Sequence, residues 1–267
     1  MGGLRRPNQL VQAARSLLLR RGRGSPHARR QLLGRWVKPG ALVFDLGANI
    51  GELSAVFAEM GAGVIAVEPH PDCIAELHRR FSGRWPVHIV GAAVSAETGH
   101  AQLHLGSMSE ISTLSDSFRA AYADQPGVHW MPPTDVVTTT LDALIAAHGL
   151  PAFAKLDLEG HEPAALAGLS QPLPALSIEY NARLRDQALA CIERLETLAG
   201  GGRYRWNLSP YEHYRFALPR WRSGAEMASW LAEQPESLQT GDLYAELRNQ
   251  PVSAPPPAAL ETRTHER

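Results

Sequence analysis

Short apolar runs alternate with amphipathic segments from residue 42 to residue 198, a pattern typical of a parallel sheet with crossover helices. Each apolar run predicts a strand, and most are followed by apolar positions three and four residues apart, which predict a helix. Shorter extra strands are predicted at 99–105 and 135–141, and two last strands at 204–208 and 242–247. The sequence therefore predicts an α/β fold with main strands at Leu42–Leu46, Val64–Glu68, Val87–Val90, Phe153–Leu158 and Ala175–Asn181.

A glycine turn follows the first predicted strand. The stretch Val43–Ser54 reads VFDLGANIGELS, with Gly47 and Gly51 four residues apart before a helix-forming run. Glycine lets the backbone approach a ligand closely, and the carboxyl ends of parallel strands are where such sheets bind nucleotide-like ligands. The spacing G-x-x-x-G differs from the dinucleotide fingerprint G-x-G-x-x-G. Asp45, directly before the turn, would repel a phosphate and attract a cation.

A second acid, Glu68, ends the second strand twenty-three residues after Asp45. An acid at this position can accept hydrogen bonds from both hydroxyls of a ribose. The two acids together favour an adenosyl cofactor with a positively charged tail and no phosphate, namely S-adenosylmethionine. The small residues Gly91, Ala92 and Ala93 after the third strand would leave room for an adenine ring. In the alternative interpretation Asp45 only caps the turn, Glu68 is a solvated strand end and Ala93 merely ends a strand.

Five motifs in fixed order carry a resemblance to a known family. They read DLGANIG, AVEP, TTLDAL, KLDLEGHE and SIEYN, and they extend from about Leu42 to Asn181. In this order they resemble the FkbM family of S-adenosylmethionine-dependent methyltransferases. The resemblance implies a Rossmann-like class I methyltransferase fold, with a seven-stranded, mostly parallel sheet, helices on both faces and an antiparallel last strand. It also implies S-adenosylmethionine as cofactor, and it places Asn49 of DLGANIG among the cofactor-binding residues with Asp45, Gly47, Gly51, Glu68 and Ala93.

The motif KLDLEGHE places ionisable side chains at the carboxyl end of the fourth main strand, which faces the same crevice as the glycine turn. Methyl transfer to a hydroxyl needs alignment of the acceptor and removal of its proton. The candidate bases are Asp157, Glu159 and His161, and Glu179 is a fourth candidate. Each also has a structural interpretation: Asp157 can orient the turn, and a histidine beside a helix start commonly forms structural hydrogen bonds.

Oxygen donors at this edge allow a second mechanism. Asp157, Glu179 and Asn181 are the kind of ligands that Mg²⁺ accepts. Because clustered carboxylates at sheet edges usually hold no metal, we predict no metal site. Hydroxyls of Ser112 and Thr113, in a stretch similar to an STL motif of the family, can either orient a substrate or only form a turn.

The leading functional hypothesis is O-methylation of a hydroxyl on a small molecule, natural product or glycan. Methylation of a nitrogen is the enzymatic alternative, and it would need no base. A non-catalytic module that binds S-adenosylmethionine is the alternative outside enzymes, and a nicotinamide-dependent dehydrogenase is a more distant one.

The distribution of charged residues along the chain indicates a basic amino-terminal segment. The chain has 267 residues and a formal net charge of −1, yet its first 44 residues contain ten Lys or Arg and no acid. We expect a basic helical arm at 1–38, a methyltransferase domain at 39–250 with an aromatic insert at about 209–232, and a disordered tail at 251–267. The arm can be a lid on the cofactor domain, a weak contact for an anionic surface, or a targeting peptide; we favour the lid.

Cysteine content, hydropathy and net charge limit the cellular compartments and the partners that the sequence predicts. The two cysteines, Cys73 and Cys191, form no C-x-x-C pair, which favours a reducing compartment and hence the cytoplasm. The sequence contains no run of eighteen apolar residues, so it predicts no transmembrane segment. The near-neutral net charge gives no reason to expect nucleic acid as a partner.

Overall fold

A computed structural model describes residues 25–83, 86–210, 213–234 and 240–248. Its helices are α1 Pro26–Leu33, α2 Glu52–Glu59, α3 Pro71–Phe81, α4 Asp116–Ala121, α5 Leu141–His148, α6 Glu162–Ala167, α7 Arg185–Leu198 and α8 Gly224–Glu233. Its strands are β1 Leu42–Leu46, β2 Gly63–Val67, β3 Val87–Val90, β4 Ala93–Val94, β5 Gly99–Leu103, β6 Thr134–Thr139, β7 Phe153–Leu156, β8 Ala175–Tyr180, β9 Tyr204–Pro210, β10 Arg222–Ser223 and β11 Gly241–Leu247. Short 3₁₀ turns lie at Ser109–Ile111 and Ala182–Leu184.

The central sheet has the order β10-β9-β11-β8-β7-β1-β2-β3. Strands β1, β2, β3, β7 and β8 are parallel neighbours, whereas β11 runs antiparallel to both β8 and β9. The predicted class I architecture with an antiparallel last strand is thus confirmed. The sheet has eight strands and not seven, because β10 adds two residues beside β9. A two-residue strand is too short to produce an alternating pattern in the sequence.

A second, three-stranded sheet has the order β4-β6-β5. Its strands β5 and β6 correspond to the extra strands predicted at 99–105 and 135–141. The short strand β4 follows β3 closely and pairs with β6, with Ala93 opposite Thr138. Residues 91–93 therefore do more than end the third strand, since they lead the chain from one sheet into the other.

Apolar side chains pack on both faces of the central sheet. One cluster joins Phe44, Leu46 and Ile65 to residues of α5, α6, α7 and α8. On the opposite face, Val43 and Val64 pack with residues of α1 and α2, including Leu33 of α1. Alternate residues of β1 and β2 thus face opposite helical layers, as expected for strands buried on both sides.

The predicted arm is described only in part, and the predicted tail lies entirely outside the described residues. Residues 1–24, with the amphipathic stretch at 10–18, and residues 251–267 lie outside the described residues. Within the described part of the arm, Leu32, Leu33 and Val37 are buried in the cluster that contains β1 and α2. In the aromatic insert, Phe216 packs edge-on against Trp221 at 4.8 Å between ring centroids.

Candidate functional site

A cleft of about 160 Å³ lies at the carboxyl ends of β1, β2, β7 and β8. The topology brings these ends together because the four strands are neighbours in the parallel part of the sheet. Seven of the nine predicted site residues line it: Gly47, Asn49, Glu68, Ala93, Asp157, Glu159 and His161. Asp45 and Gly51, the other two, lie beside the cleft without lining it.

Gly47 is required by both backbone conformation and space. Its φ is +80°, a left-handed conformation that side chains rarely adopt, and a Cβ here would lie 1.9 Å from the carbonyl oxygen of Asp157. Gly51 serves helix packing, since a Cβ there would lie 2.4 Å from the Phe81 ring and 2.7 Å from Leu77. The first glycine therefore joins the ends of β1 and β7, and the second lets α2 approach α3.

The Asp45 carboxylate is buried against the first turn of α2. Ser54 Oγ donates a hydrogen bond of 2.5 Å to it, and the Asp45 side chain is buried. Burial raises the pKa of Asp45 to about 6, with the Ser54 hydrogen bond acting in the opposite direction. The structure thus gives Asp45 a supporting contact within the turn, and a direct contact with the cofactor stays a prediction.

Glu68 is held by the backbone on both of its carboxylate oxygens. The amide nitrogens of Asn49 and His70 donate to Oε2 and Oε1, each at 2.8 Å. Burial raises the pKa of Glu68 to about 7, and these two hydrogen bonds oppose the rise. Each oxygen keeps a second lone pair, so the carboxylate can accept two hydroxyls side by side. This arrangement fits the ribose of an adenosyl group.

A buried lysine lies between the two acids at the ends of β7 and β11. Lys155 Nζ is 3.1 Å from Asp157 Oδ2 and 2.9 Å from Asp242 Oδ1. Burial opposes the charge on this amine, but the two carboxylates outweigh it and raise the pKa of Lys155. The ion pair with Lys155 therefore holds the Asp157 side chain in place in the lining of the cleft.

Three carboxylates converge beside this lysine. One oxygen each of Asp157, Glu159 and Glu179 lies within 4.8 Å of the others. Burial, and then repulsion between the carboxylates, raises the pKa of both Glu159 and Glu179 well above the ordinary value. A glutamate with a raised pKa is a stronger base than an ordinary surface carboxylate.

The backbone at Glu159 is fixed by a distant hydroxyl. Its φ is +50°, and Gly160 follows at +86°, so the chain makes a sharp left-handed turn after β7. Thr113 Oγ1 donates a hydrogen bond of 2.7 Å to the Glu159 carbonyl oxygen. The STL-like segment thus supports the turn that presents Glu159, and its serine, Ser112, lines the cleft.

His161 directly precedes the first residue of α6. Its Nε2 lies 3.1 Å from Ser95 Oγ, and burial lowers the pKa of the imidazole. Next to it, the buried Glu162 accepts a hydrogen bond of 2.7 Å from the amide nitrogen of Leu158, and burial raises the pKa of Glu162 to about 7. Glu162 therefore stabilises the same turn from within.

Sequence reasoning missed Lys155 and misplaced Asn181. A charged residue inside the apolar run FAKL was the available signal for Lys155, because an unpaired lysine is almost never buried. Asn181 Nδ2 donates to Tyr122 Oη at 2.6 Å, and the residue does not line the cleft. The oxygen cluster that can hold a divalent cation is therefore formed with Glu159 in place of Asn181.

Comparisons with known proteins identify the family. A sequence profile of the "Methyltransferase FkbM domain" matches residues 45–234. No curated protein sequence matches the chain significantly. In the described part of the chain, every helix is too short or too polar to span a membrane.

Similar solved structures include three methyltransferases. Precorrin-6y C5,15-methyltransferase from Geobacter metallireducens is 12% identical, with 81% of this chain and 85% of that chain covered and a TM-score of 0.41. A TehB-like SAM-dependent methyltransferase from Corynebacterium glutamicum is 13% identical, with 90% and 97% covered and a TM-score of 0.40. A putative rRNA methylase from Clostridium thermocellum is 8% identical, with 85% and 98% covered and a TM-score of 0.43.

At these identities the structural similarities carry no information on the acceptor. The profile match is different in kind, because it covers well over half of the sequence and includes both the glycine turn and the KLDLEGHE motif. Family membership makes S-adenosylmethionine the methyl donor, and the arrangement of Glu68 fits its ribose. The chain belongs to the FkbM family of S-adenosylmethionine-dependent methyltransferases.

Proposed function

We propose that the protein transfers the methyl group of S-adenosylmethionine to a hydroxyl group of a small molecule or a glycan. The observation that supports this proposal is the pair Glu159 and Glu179 in the lining of the cleft, whose pKa values are raised by burial and by repulsion between neighbouring carboxylates. An alcohol has to lose its proton as the new bond forms, whereas an uncharged amine can attack directly. A strengthened base beside the cleft is therefore useful for a hydroxyl acceptor.

The donor supplies a methyl group already activated by the sulfonium. As the oxygen–carbon bond forms, the carbon–sulfur bond breaks, the sulfonium becomes a neutral thioether, and the hydroxyl proton has to leave. Glu159 is the group we assign to accept this proton, since it lines the cleft and Thr113 fixes its backbone. Asp157, paired with Lys155, lines the cleft, and the imidazole of His161 can form a hydrogen bond to the acceptor.

The test is a labelled-methyl assay on fractionated cell extract with wild-type protein and the variant Glu159→Gln. We expect transfer to fall about 10²- to 10⁴-fold, the usual contribution of a general base. Binding of S-adenosylhomocysteine should stay unchanged, because the amide keeps the shape of the side chain. Glu110→Gln is the matched control, since Glu110 lines the same cleft away from the carboxylate cluster.

Further measurements separate the alternatives. Wild-type transfer should rise with pH through the raised pKa of the carboxylate pair, because the deprotonated form is the base. Transfer that Glu159→Gln leaves unchanged, with the label on a nitrogen of the product, would favour N-methylation. Cofactor binding without transfer to any fraction would favour a binding module. Loss of transfer after treatment with a chelator would show that the three carboxylates serve through a metal ion.

A further inference from the structure

The turn that presents Glu159 has a backbone conformation that needs support from outside the turn. The φ of Glu159 is +50° and that of Gly160 is +86°. A glutamate rarely adopts a left-handed conformation, because its Cβ crowds the backbone, so neighbouring groups have to hold it there. Relaxation of Glu159 would move its carboxylate away from Asp157 and Glu179, whose oxygens lie within 4.8 Å of its own.

The hydroxyl of Thr113 provides such support, and the direction of its hydrogen bond is fixed. Thr113 Oγ1 accepts a hydrogen bond of 2.8 Å from the amide nitrogen of Ser115. An amide nitrogen can only donate, so this contact occupies a lone pair and leaves the hydroxyl proton free. The proton is donated to the carbonyl oxygen of Glu159 at 2.7 Å.

The backbone of Thr113 is fixed by the three-stranded sheet and not by the turn. Thr113 and His104 exchange two backbone hydrogen bonds, of 2.9 and 3.0 Å, and His104 directly follows β5. Phe118 of α4 meets the turn at a second point, since a Cβ on Gly160 would lie 3.1 Å from the Phe118 Cβ. The segment that follows β5 therefore holds the turn from a position that does not depend on the turn itself.

The Thr113 hydroxyl is also not available to a substrate. Thr113 lines the cleft, but it is only 1% exposed, and its single proton is already donated to Glu159. We propose that Thr113 is a positioning residue of the transfer reaction, whose hydroxyl holds Glu159 where the carboxylate can reach the acceptor. The inference rests on the role that the proposed function assigns to Glu159.

The variant Thr113→Val tests the inference, because valine has nearly the same shape as threonine but no hydroxyl. The assay uses the extract fraction that accepts labelled methyl from the wild-type protein. We expect turnover at saturating S-adenosylmethionine to fall about 10- to 100-fold, the upper end being the cost of misplacing a reacting group by about 1 Å. The apparent KM for S-adenosylmethionine and the calorimetric affinity for S-adenosylhomocysteine should not change, since other groups hold Glu68. Thr113→Ser, which keeps the hydroxyl, should retain most of the turnover.

Thr138→Val is the matched control. Thr138 is 4% exposed, and its Oγ1 donates a hydrogen bond of 2.8 Å to the carbonyl oxygen of Glu97. The residue belongs to the same three-stranded sheet but does not line the cleft. Its substitution removes the same kind of buried hydrogen bond, so it should lower the melting temperature and leave turnover as in wild type.

A double variant separates positioning from a general structural role. In the Glu159→Gln background, Thr113→Val should cause little further loss of turnover, because the carboxylate that it positions is gone. Losses that multiply in the double variant would show that Thr113 acts independently of Glu159, and they would overturn the inference.

Other results would overturn it as well. A fall in turnover for Thr138→Val as large as for Thr113→Val would show a general effect of destabilisation. Equal losses in Thr113→Ser and Thr113→Val would show that the hydroxyl is not the group that matters. Where Thr113→Val fails to fold, Thr113→Cys takes its place beside Thr113→Ser, since a thiol is similar in shape to a hydroxyl but a weak donor.

Failure of this inference is distinguishable from failure of the proposed function. Wild-type turnover in Thr113→Val, beside a Glu159→Gln variant that loses transfer, would overturn the inference alone. Wild-type transfer in Glu159→Gln would contradict the proposed function, and the inference with it.

Discussion

The two halves of the cleft are built by different means. At the ends of β1 and β2 the backbone defines the site: Gly47 brings two strand ends into contact, and two amide nitrogens hold Glu68. At the ends of β7 and β8 side chains define it, through the contacts of Lys155 with Asp242 and of Thr113 with Glu159. The backbone groups that hold Glu68 are 19 and 2 residues from it in sequence, whereas the side-chain partners in the second half are 87 and 46 residues apart.

The difference suits the two tasks of a methyltransferase. The family shares one methyl donor, and in the first half the backbone holds the side chain, Glu68, whose arrangement fits the donor's ribose. A site defined by contacts between side chains can change with few substitutions. We therefore expect changes in the first half to abolish cofactor binding, and changes in the second half to alter charge and turnover.

The largest effect is expected at the glycine turn. Gly47→Ala adds a Cβ that meets the Asp157 carbonyl, and it imposes a left-handed conformation on alanine. We expect a loss of about 5 kcal/mol or more in the free energy of unfolding, together with loss of S-adenosylhomocysteine binding. Gly40→Ala is the matched control, because Gly40 has φ +79° but nothing within 4 Å of its Cβ position, so its cost should be about 1 kcal/mol. Chemical denaturation measures both, and equal losses would contradict the steric explanation.

A smaller effect is expected at the buried ion pair. Lys155→Met leaves Asp157 and Asp242 without their shared cation, and removal of one partner of a buried pair costs about 3–5 kcal/mol. We expect the low end of this range, since the Asp157 side chain is 39% exposed and water can compensate in part. The double variant Lys155→Met with Asp242→Asn should recover stability relative to the single variant. A double variant less stable than Lys155→Met would contradict this pairing.

The smallest effect is expected at Glu162. Its substitution by glutamine should raise the free energy of unfolding, and the gain should depend on pH. The pKa of Glu162 is raised from 4.5 to about 7 by burial, so the folded protein binds more protons than the unfolded chain between these values. Stability therefore falls as pH rises through this window. Glu162→Gln should remove this contribution and be more stable than wild type above pH 7, by roughly 3 kcal/mol as an upper bound. Near pH 4 this advantage should disappear.

Denaturation at several pH values measures the Glu162 effect. Glu193→Gln, an exposed substitution on α7, is the control and should track wild type at every pH. A Glu162→Gln variant that loses stability equally at pH 4 and pH 8 would show that the Leu158 hydrogen bond matters more than the buried charge.

Most of the fold, and most of the half of the cleft at the ends of β1 and β2, could be predicted from the sequence. Strands buried on both faces appear as apolar runs, and a glycine turn followed by an acid on the next strand is a local pattern. The short strands β4 and β10 could not be predicted, since two residues carry no period. Asn181 was misplaced among the cleft residues because its actual partner, Tyr122, is 59 residues away.

The sequence by itself determined the positions of the main strands along the chain, the glycine turn and the set of ionisable residues at the strand ends, because these depend on neighbours along the chain. Only the tertiary structure decided which of those residues interact. It paired Lys155 with Asp242, brought Glu159 beside Glu179 and placed Ser54 within hydrogen-bond distance of Asp45. The physical reason is that burial and charge proximity, which set the pKa and the contacts of a side chain, arise when distant strands and helices pack together.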